Sequence, residues 1–274
     1  MNTKKLTTAH RLFFIFGVLA MLIVLVAILA PVLSGGIDPN KGNIADSIQP
    51  PDEEHIFGTD KMGRDVYARV LYGARATLIS TFSLVALVFV VGTALGVISG
   101  YFGGLADAVI MRLADMMIAF PGLVLAIAVA GLMGPSQRNA VLAIALVTWP
   151  KYARLARSLV LQIRHMDYVN AALVTGSKTP RMLLRYMLPN ALPTLIITAA
   201  TDIGAMTMEL AALSFLGFGA KNVPEWGSML NEGRAFMESA PWMMIYPGLA
   251  IFITVVIFNM LGDSLRDILD PHNE

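Results

Sequence analysis

The chain has 274 residues, 56% of them hydrophobic and 14% charged, with a formal net charge of +1 and no cysteine. Soluble domains carry roughly 25% charged residues, so composition excludes an ordinary soluble globule. The missing thiols exclude a disulfide framework and a thiolate metal site, and the near-neutral charge implies no nucleic-acid partner.

A helix crossing a hydrocarbon core of about 30 Å needs about 20 mainly apolar residues. Such stretches occur at about 12–33, 77–100, 109–133, 139–160, 191–216 and 243–262. The first follows Lys4, Lys5 and Arg11 and has the outline of a signal peptide. Its apolar stretch exceeds the roughly 7–15 residues of a signal core, however, and Pro31-Val32-Leu33 is a poor cleavage site, so an anchor helix is expected.

Residues 34–76 are polar and punctuated by Gly35-Gly36, Asp38-Pro39 and Pro50-Pro51, which mark turns and extended backbone. Within them, Arg64 to Tyr72 shows apolar residues at helical spacing beside charges, the pattern of an interfacial amphipathic helix that either positions the second span or touches substrate. The chain is therefore divided into 1–76, an anchor helix with an external loop, and 77–274, a transmembrane core. Gly92, Gly96 and Gly100 recur every four residues on the second span and leave a groove for a neighbouring helix. Pro121 interrupts the third candidate span and Trp149-Pro150 the fourth. Asp115 with Arg112, and Asp263 with Arg266, are expected to pair or snorkel near span ends.

Seven Lys or Arg lie between Lys151 and Arg185, a density favoured on the cytoplasmic side. With the amino terminus inside, twelve of the twenty Lys and Arg fall on inner segments, which agrees with that orientation. The stretch from Asp167 to Pro189 reads as two short helices with a turn between them. Gly176 suits the left-handed residue that ends the first, Thr179 suits a cap for the second, and Pro180 suits a first helical position. Ala171 and Ala172 leave one face of the first helix low and smooth.

Within the fifth span the costly residues are Asp202 and Glu209, which must face protein or water. They stand seven apart and share one helical face, with Met206 and Thr198 nearby. This stripe either lines a translocation path that attracts a cationic group or pairs with a partner subunit. There is no Gly-x4-Gly-Lys-Ser/Thr phosphate loop, no His-Glu-x-x-His and no Gly-x-Ser-x-Gly. The histidines, His10, His55, His165 and His272, all fall in loops or ends, so neither a catalytic residue nor a metal site is expected.

The spacing Asn170, Ala171, Ala172, Gly176, Leu188, Pro189 resembles the cytoplasmic coupling loop of binding-protein-dependent ABC importers, whose pattern is Glu-Ala-Ala, three residues, Gly, nine residues, an apolar residue, one residue, Leu-Pro. Asn170 departs from the glutamate and Tyr186 from the aliphatic residue. Further stretches are similar to the second, C-type permease of the dipeptide, oligopeptide and nickel family. They include Phe57-Gly58-Thr59-Asp60, Gly63-Arg64-Asp65, Gly73-Ala74-Arg75, Gly100 to Gly104, Met111 to Asp115, Leu213 to Gly217, Trp226-Gly227 and Gly262 to Asp267. The stretch Ala220 to Glu225 looks one residue shorter than the family's proline-rich version, and Thr201 to Gly204 with Met206 looks closer to the nickel type.

The resemblance implies an all-α polytopic membrane protein of about six helices with the type I ABC importer transmembrane fold, in a bacterial or archaeal cell (inner) membrane. It implies a homologous second permease, two ATP-binding subunits that hold ATP and Mg, and an extracellular or periplasmic solute-binding protein, with no cofactor on this chain itself. The loop 161–189 would couple ATPase closure to alternating access through Asn170, Ala171, Ala172, Gly176, Leu188 and Pro189, and the cargo would be a small peptide or a nickel chelate. The alternative is a secondary transporter acting without an ATPase, for which paired broken repeats would be expected.

Overall fold

The first apolar run forms α1 (Thr3–Leu33), with Pro31 inside its last turn. The chain is seen in a computed structural model that describes residues 3–220 and 222–269, with side chains from residue 8 onward. Lys221, His272 and the side chains of Lys4 and Lys5 lie outside the described residues. A proline cannot donate to the carbonyl four residues earlier, which here belongs to Ala27. Arg75 fills the gap: its Nε donates to the Ala27 oxygen at 3.2 Å and its Nη2 to that of Ile28 at 2.9 Å. Arg75→Met should therefore loosen α1 from its neighbour by about 1–3 kcal/mol, seen as faster amide exchange around residue 31.

The second helix, α2 (Val66–Phe102), runs 37 residues without a break, about 55 Å at 1.5 Å per residue. The expected separate interfacial helix is instead its first turns. Nothing in 66–102 can stop it: there is no proline, and Gly73 is retained in the helix because the Trp226 ring lies where a Cβ would project, 2.7 Å away. Asp65 caps the start, its Oδ1 accepting from the Ala68 N–H at 2.7 Å.

Next come α3 (Gly104–Ile118) and α4 (Gly122–Met133), which meet at a 95° bend. The cause is Pro121, which lacks a donor and keeps the residue before it out of helical conformation. By contrast Pro150 lies buried inside α5 (Gln137–Arg164), so the expected break at Trp149-Pro150 is absent. Close packing along α2 holds α5 through it. A Cβ on Gly92 would stand 2.5 Å from that of Tyr152, one on Gly96 would overlap the Ala153 carbonyl, and one on Gly100 would stand 2.9 Å from the Val160 Cβ. Arg157 clamps Asp107 with two bonds of 2.5 and 2.6 Å, and Arg154 pairs with Asp115, tying α3 to α5. Asp115 thus takes Arg154 of the facing helix rather than the expected Arg112.

After α6 (Asp167–Val174) and α7 (Thr179–Arg181), the chain passes through a π-helical turn, Met182–Met187, into α8 (Leu188–Leu213). A short helix α9 (Trp226–Gly233) and the long α10 (Trp242–Leu269) complete the order. No β-strand occurs among the described residues, only two isolated bridges. Four helical stretches are long and apolar enough to cross a membrane, Thr8–Leu33, Val66–Phe102, Thr179–Phe218 and Trp242–Leu269, and the bent pair α3–α4 would make a fifth. The expected span 139–160 lies in α5, which is long enough but carries Arg138, Lys151, Arg154, Arg157 and Arg164. Six is therefore an approximate count. One core gathers α2, α4, α5 and α8; a second gathers α1, α2, α9 and α10.

The segment between α1 and α2 is an ordered cap. Phe57 stacks on Tyr246 at 3.8 Å and meets Tyr67 edge-on, and the Trp242 indole donates to the Thr59 carbonyl at 3.1 Å. Gly58 sits at φ +71° with the Gln49 carbonyl and the Trp242 ring within 3 Å of any Cβ it might carry, so only glycine fits. Asp60 bonds Arg64 at 2.6 Å and Arg69 at 2.9 Å, and Glu232 of α9 bonds the same two arginines at 2.6 and 3.0 Å. Asp60, Arg64 and Arg69 are only 2%, 4% and 2% exposed.

His55 Nδ1 lies 2.9 Å from the second oxygen of the capping Asp65. That hydrogen bond raises the imidazole above its ordinary 6.5, aided by the charges of Asp65, Asp52 and Glu54 against some desolvation. Because the folded pKa is the higher one, the stabilisation is complete below the unfolded pKa and disappears as pH rises through the folded pKa. Intrinsic-rate-corrected amide exchange at Ala68 should therefore be slower on the acid side, and His55→Gln should remove the difference.

Candidate functional site

Two places concentrate the residues that the sequence singles out. The first is the turn between α5 and α8. α6 ends in a left-handed glycine: Gly176 has φ +80°, its N–H donates to the Leu173 carbonyl at 3.0 Å, and the Ser177 N–H donates to that of Ala172 at 3.0 Å. These two bonds make a Schellman cap. Thr175 turns its hydroxyl back on this helix, 3.0 Å from both the Ala171 and the Ala172 carbonyl oxygens, while the cap expected of Thr179 on the next helix does not form. Lys178 holds the N-cap position of α7 and makes no side-chain cap, while Pro180 lies in the first turn.

The second short helix is not separate, since it continues through the π turn into α8. Pro189 and Pro193 bring no N–H to the usual register, and the Leu188 N–H reaches five residues back to the Leu183 carbonyl. Val169 and Ala172 are buried, so the turn is anchored, while Asn170, Ala171, Gly176 and Pro189 are exposed and Leu188 is half-buried. Tyr186 stacks on Tyr168 with centroids 6.4 Å apart, which accounts for an aromatic residue at that position. Val174 at 89% and Leu184 at 67% project bare apolar side chains from this end of the molecule.

The second place is the middle of α8. Asp202 is buried and fully engaged: Lys151 Nζ donates to its two oxygens at 2.6 and 2.7 Å, and the Tyr152 hydroxyl donates to one of them at 3.0 Å. Glu209, two turns further on, is exposed and makes no hydrogen bond or ion pair within the described residues. Met206 is 2% exposed and packs in the core, so it lines no open surface, and Thr198 turns its hydroxyl back to the Thr194 carbonyl. A cavity of about 170 Å³ lies between the α3–α4 elbow, α5 and α8, with Lys151 and Glu209 on its wall. Lys151 belongs with Asp202 and not with the basic loop that follows it, and the sequence signal for this is its position inside the apolar stretch 139–160. Among the described residues no group of His, Asp and Glu is arranged to hold a metal ion.

The family described as binding-protein-dependent transport system inner membrane component matches residues 92–274. The chain belongs to that family. The match takes in the glycine groove, the coupling-loop candidate and α8, and begins within α2. A relative named dipeptide transport system permease protein, from Alkalihalophilus pseudofirmus, is 44% identical over 90% of this chain and 82% of its own length. Its namesake from Haemophilus influenzae is 42% identical over 94% and 90%. The nickel transport system permease protein of Escherichia coli K12 is 38% identical over 86% and 85%. A solved structure titled as inward-facing conformations of the MetNI methionine ABC transporter superposes with a TM-score of 0.59, covering 73% of this chain and 95% of that one at 19% identity, which establishes the shared fold. A transporter acting without an ATPase finds no support among these family relatives.

Proposed function

We propose that this chain is one of two permease subunits of an ATP-driven importer that brings small peptides or metal chelates into the cell, the second permease being a homologue. The chain itself performs no chemistry. Two separate ATPase subunits hold ATP and Mg, and an external solute-binding protein delivers the cargo. The amino terminus and the 161–189 turn face the cytoplasm.

The observation that carries this reading is the turn at Gly176, where an anchored helix presents Asn170, Ala171 and the apolar Val174 to the outside of the fold while its other face packs against the core. A partner pushing on α6 would move α5 and α8 together, because α6 is followed, through a tight cap, by one helical stretch from Thr179 that passes the π turn Met182–Met187 and leaves helical geometry only near its end, at Gly217. Rigid-body rocking of that kind alternates access to a central path. Relatives carrying dipeptide and nickel names support the cargo range.

Gly176→Val tests the coupling. A β-branched residue at φ +80° costs about 1–2 kcal/mol locally, and the site has open space for the side chain itself. The variant should assemble in the membrane and hydrolyse ATP while uptake into vesicles falls at least tenfold. Unchanged uptake would remove the coupling role.

A further inference from the structure

The cavity beside α8 differs from the expected pair of carboxylates. Asp202 is neutralised by Lys151 and held by Tyr152, so a single free carboxylate, Glu209, faces the space. The rest of the wall is mostly apolar: Ile118, Leu123, Ala126, Ile144 and Val147. A bare divalent transition metal wants several N, O or S donors in a defined geometry, and with the Lys151 ammonium taken up by Asp202 this wall offers Glu209 as its one carboxylate. An organic ammonium needs only one charged acceptor, and the apolar wall suits the side chain attached beside it. The volume of about 170 Å³ is below the roughly 300–1,000 Å³ of pockets that enclose a whole ligand, which fits one end of a peptide and not all of it.

We propose that this cavity is a half-site for the amino-terminal residue of a peptide, with Glu209 accepting the ammonium and Lys151 acting as a specificity residue that silences Asp202. The assignment rests on the importer reading above and narrows its cargo. Glu209 is exposed in this chain and makes no hydrogen bond or ion pair among the described residues, so Glu209→Gln leaves the fold intact.

The test uses the complete importer with its solute-binding protein in proteoliposomes, supplied with radiolabelled alanyl-alanine and, separately, with radiolabelled nickel ion. The wild type should take up the dipeptide. Glu209→Gln should lower that uptake about tenfold or more, the loss expected for one charge-assisted hydrogen bond, with Glu209→Asp restoring part of it. ATPase activity stimulated by the binding protein and recovery of the second permease should stay unchanged. Dipeptide uptake unaffected by Glu209→Gln overturns the half-site and leaves the importer reading standing. Loss of the second permease on purification overturns it too, by showing that Glu209 joins the two subunits. A wild-type complex that takes up nickel and no dipeptide overturns the peptide cargo itself, and does so before any variant is compared.

Discussion

Leucine at position 96 should leave little folded protein in the membrane. A Cβ there would overlap the Ala153 carbonyl oxygen and stand 2.7 Å from the Ala156 Cβ. The backbone of α5 cannot retreat, because Gly92 and Gly100 hold it equally close one turn to either side. Overpacking by a methylene or so costs about 1–3 kcal/mol, and leucine adds four carbons, so the loss should reach about 3 kcal/mol or more. Thermal unfolding and the yield of monodisperse protein check this. The matched comparison is Gly96→Ala, milder but in the same direction, against Gly17→Ala, whose Cβ would meet nothing nearer than 3.9 Å from Leu261. Equal behaviour of the two variants would contradict the close α2–α5 contact.

Asp60→Ala should destabilise the end of the molecule that holds the α1–α2 cap by about 3–5 kcal/mol, the cost of removing one partner from a buried ion cluster. Arg64 and Arg69 would then share Glu232 alone while remaining only 4% and 2% exposed. The damage should be local in kind: α9 and the cap separate from α2, and the α2–α5 core persists. Amide exchange would show this as early opening of residues 42–65 and 226–233 with protection kept along α5. Replacing all four charged groups by apolar residues of similar volume should recover much of the loss, because the cluster's own desolvation cost offsets much of its attraction.

How much of this was legible beforehand follows from where each signal lives. Helices in a membrane are declared by local composition, so α1, α2, α8 and α10 could be placed from apolar runs alone. The four-residue glycine period on α2 also reads directly, since its meaning is a missing side chain. Gly176 was legible because a left-handed helix end is a local demand on one residue. What escaped depends on facing elements. Whether a proline breaks a helix is decided by what packs against it, which is why Pro121 bends the chain by 95° and Pro150 does not. The partners of Asp202 and Asp115 lie 51 and 39 residues away, beyond any periodicity. The continuity of α7 into α8 depends on a π turn that no residue pattern announces.

The absence of cysteine makes the decisive measurement simple. Val174, 89% exposed on α6, and Ile44, 82% exposed on the cap, would each be replaced by a single cysteine, and native membranes containing the whole importer treated with a cysteine-to-amine cross-linker of about 10 Å reach, comparable to one helix diameter. The account predicts a covalent adduct between the Val174→Cys chain and an ATPase subunit, and none from Ile44→Cys. An ATPase adduct from position 44, or its absence at position 174 in a complex shown to contain the ATPase, would contradict it.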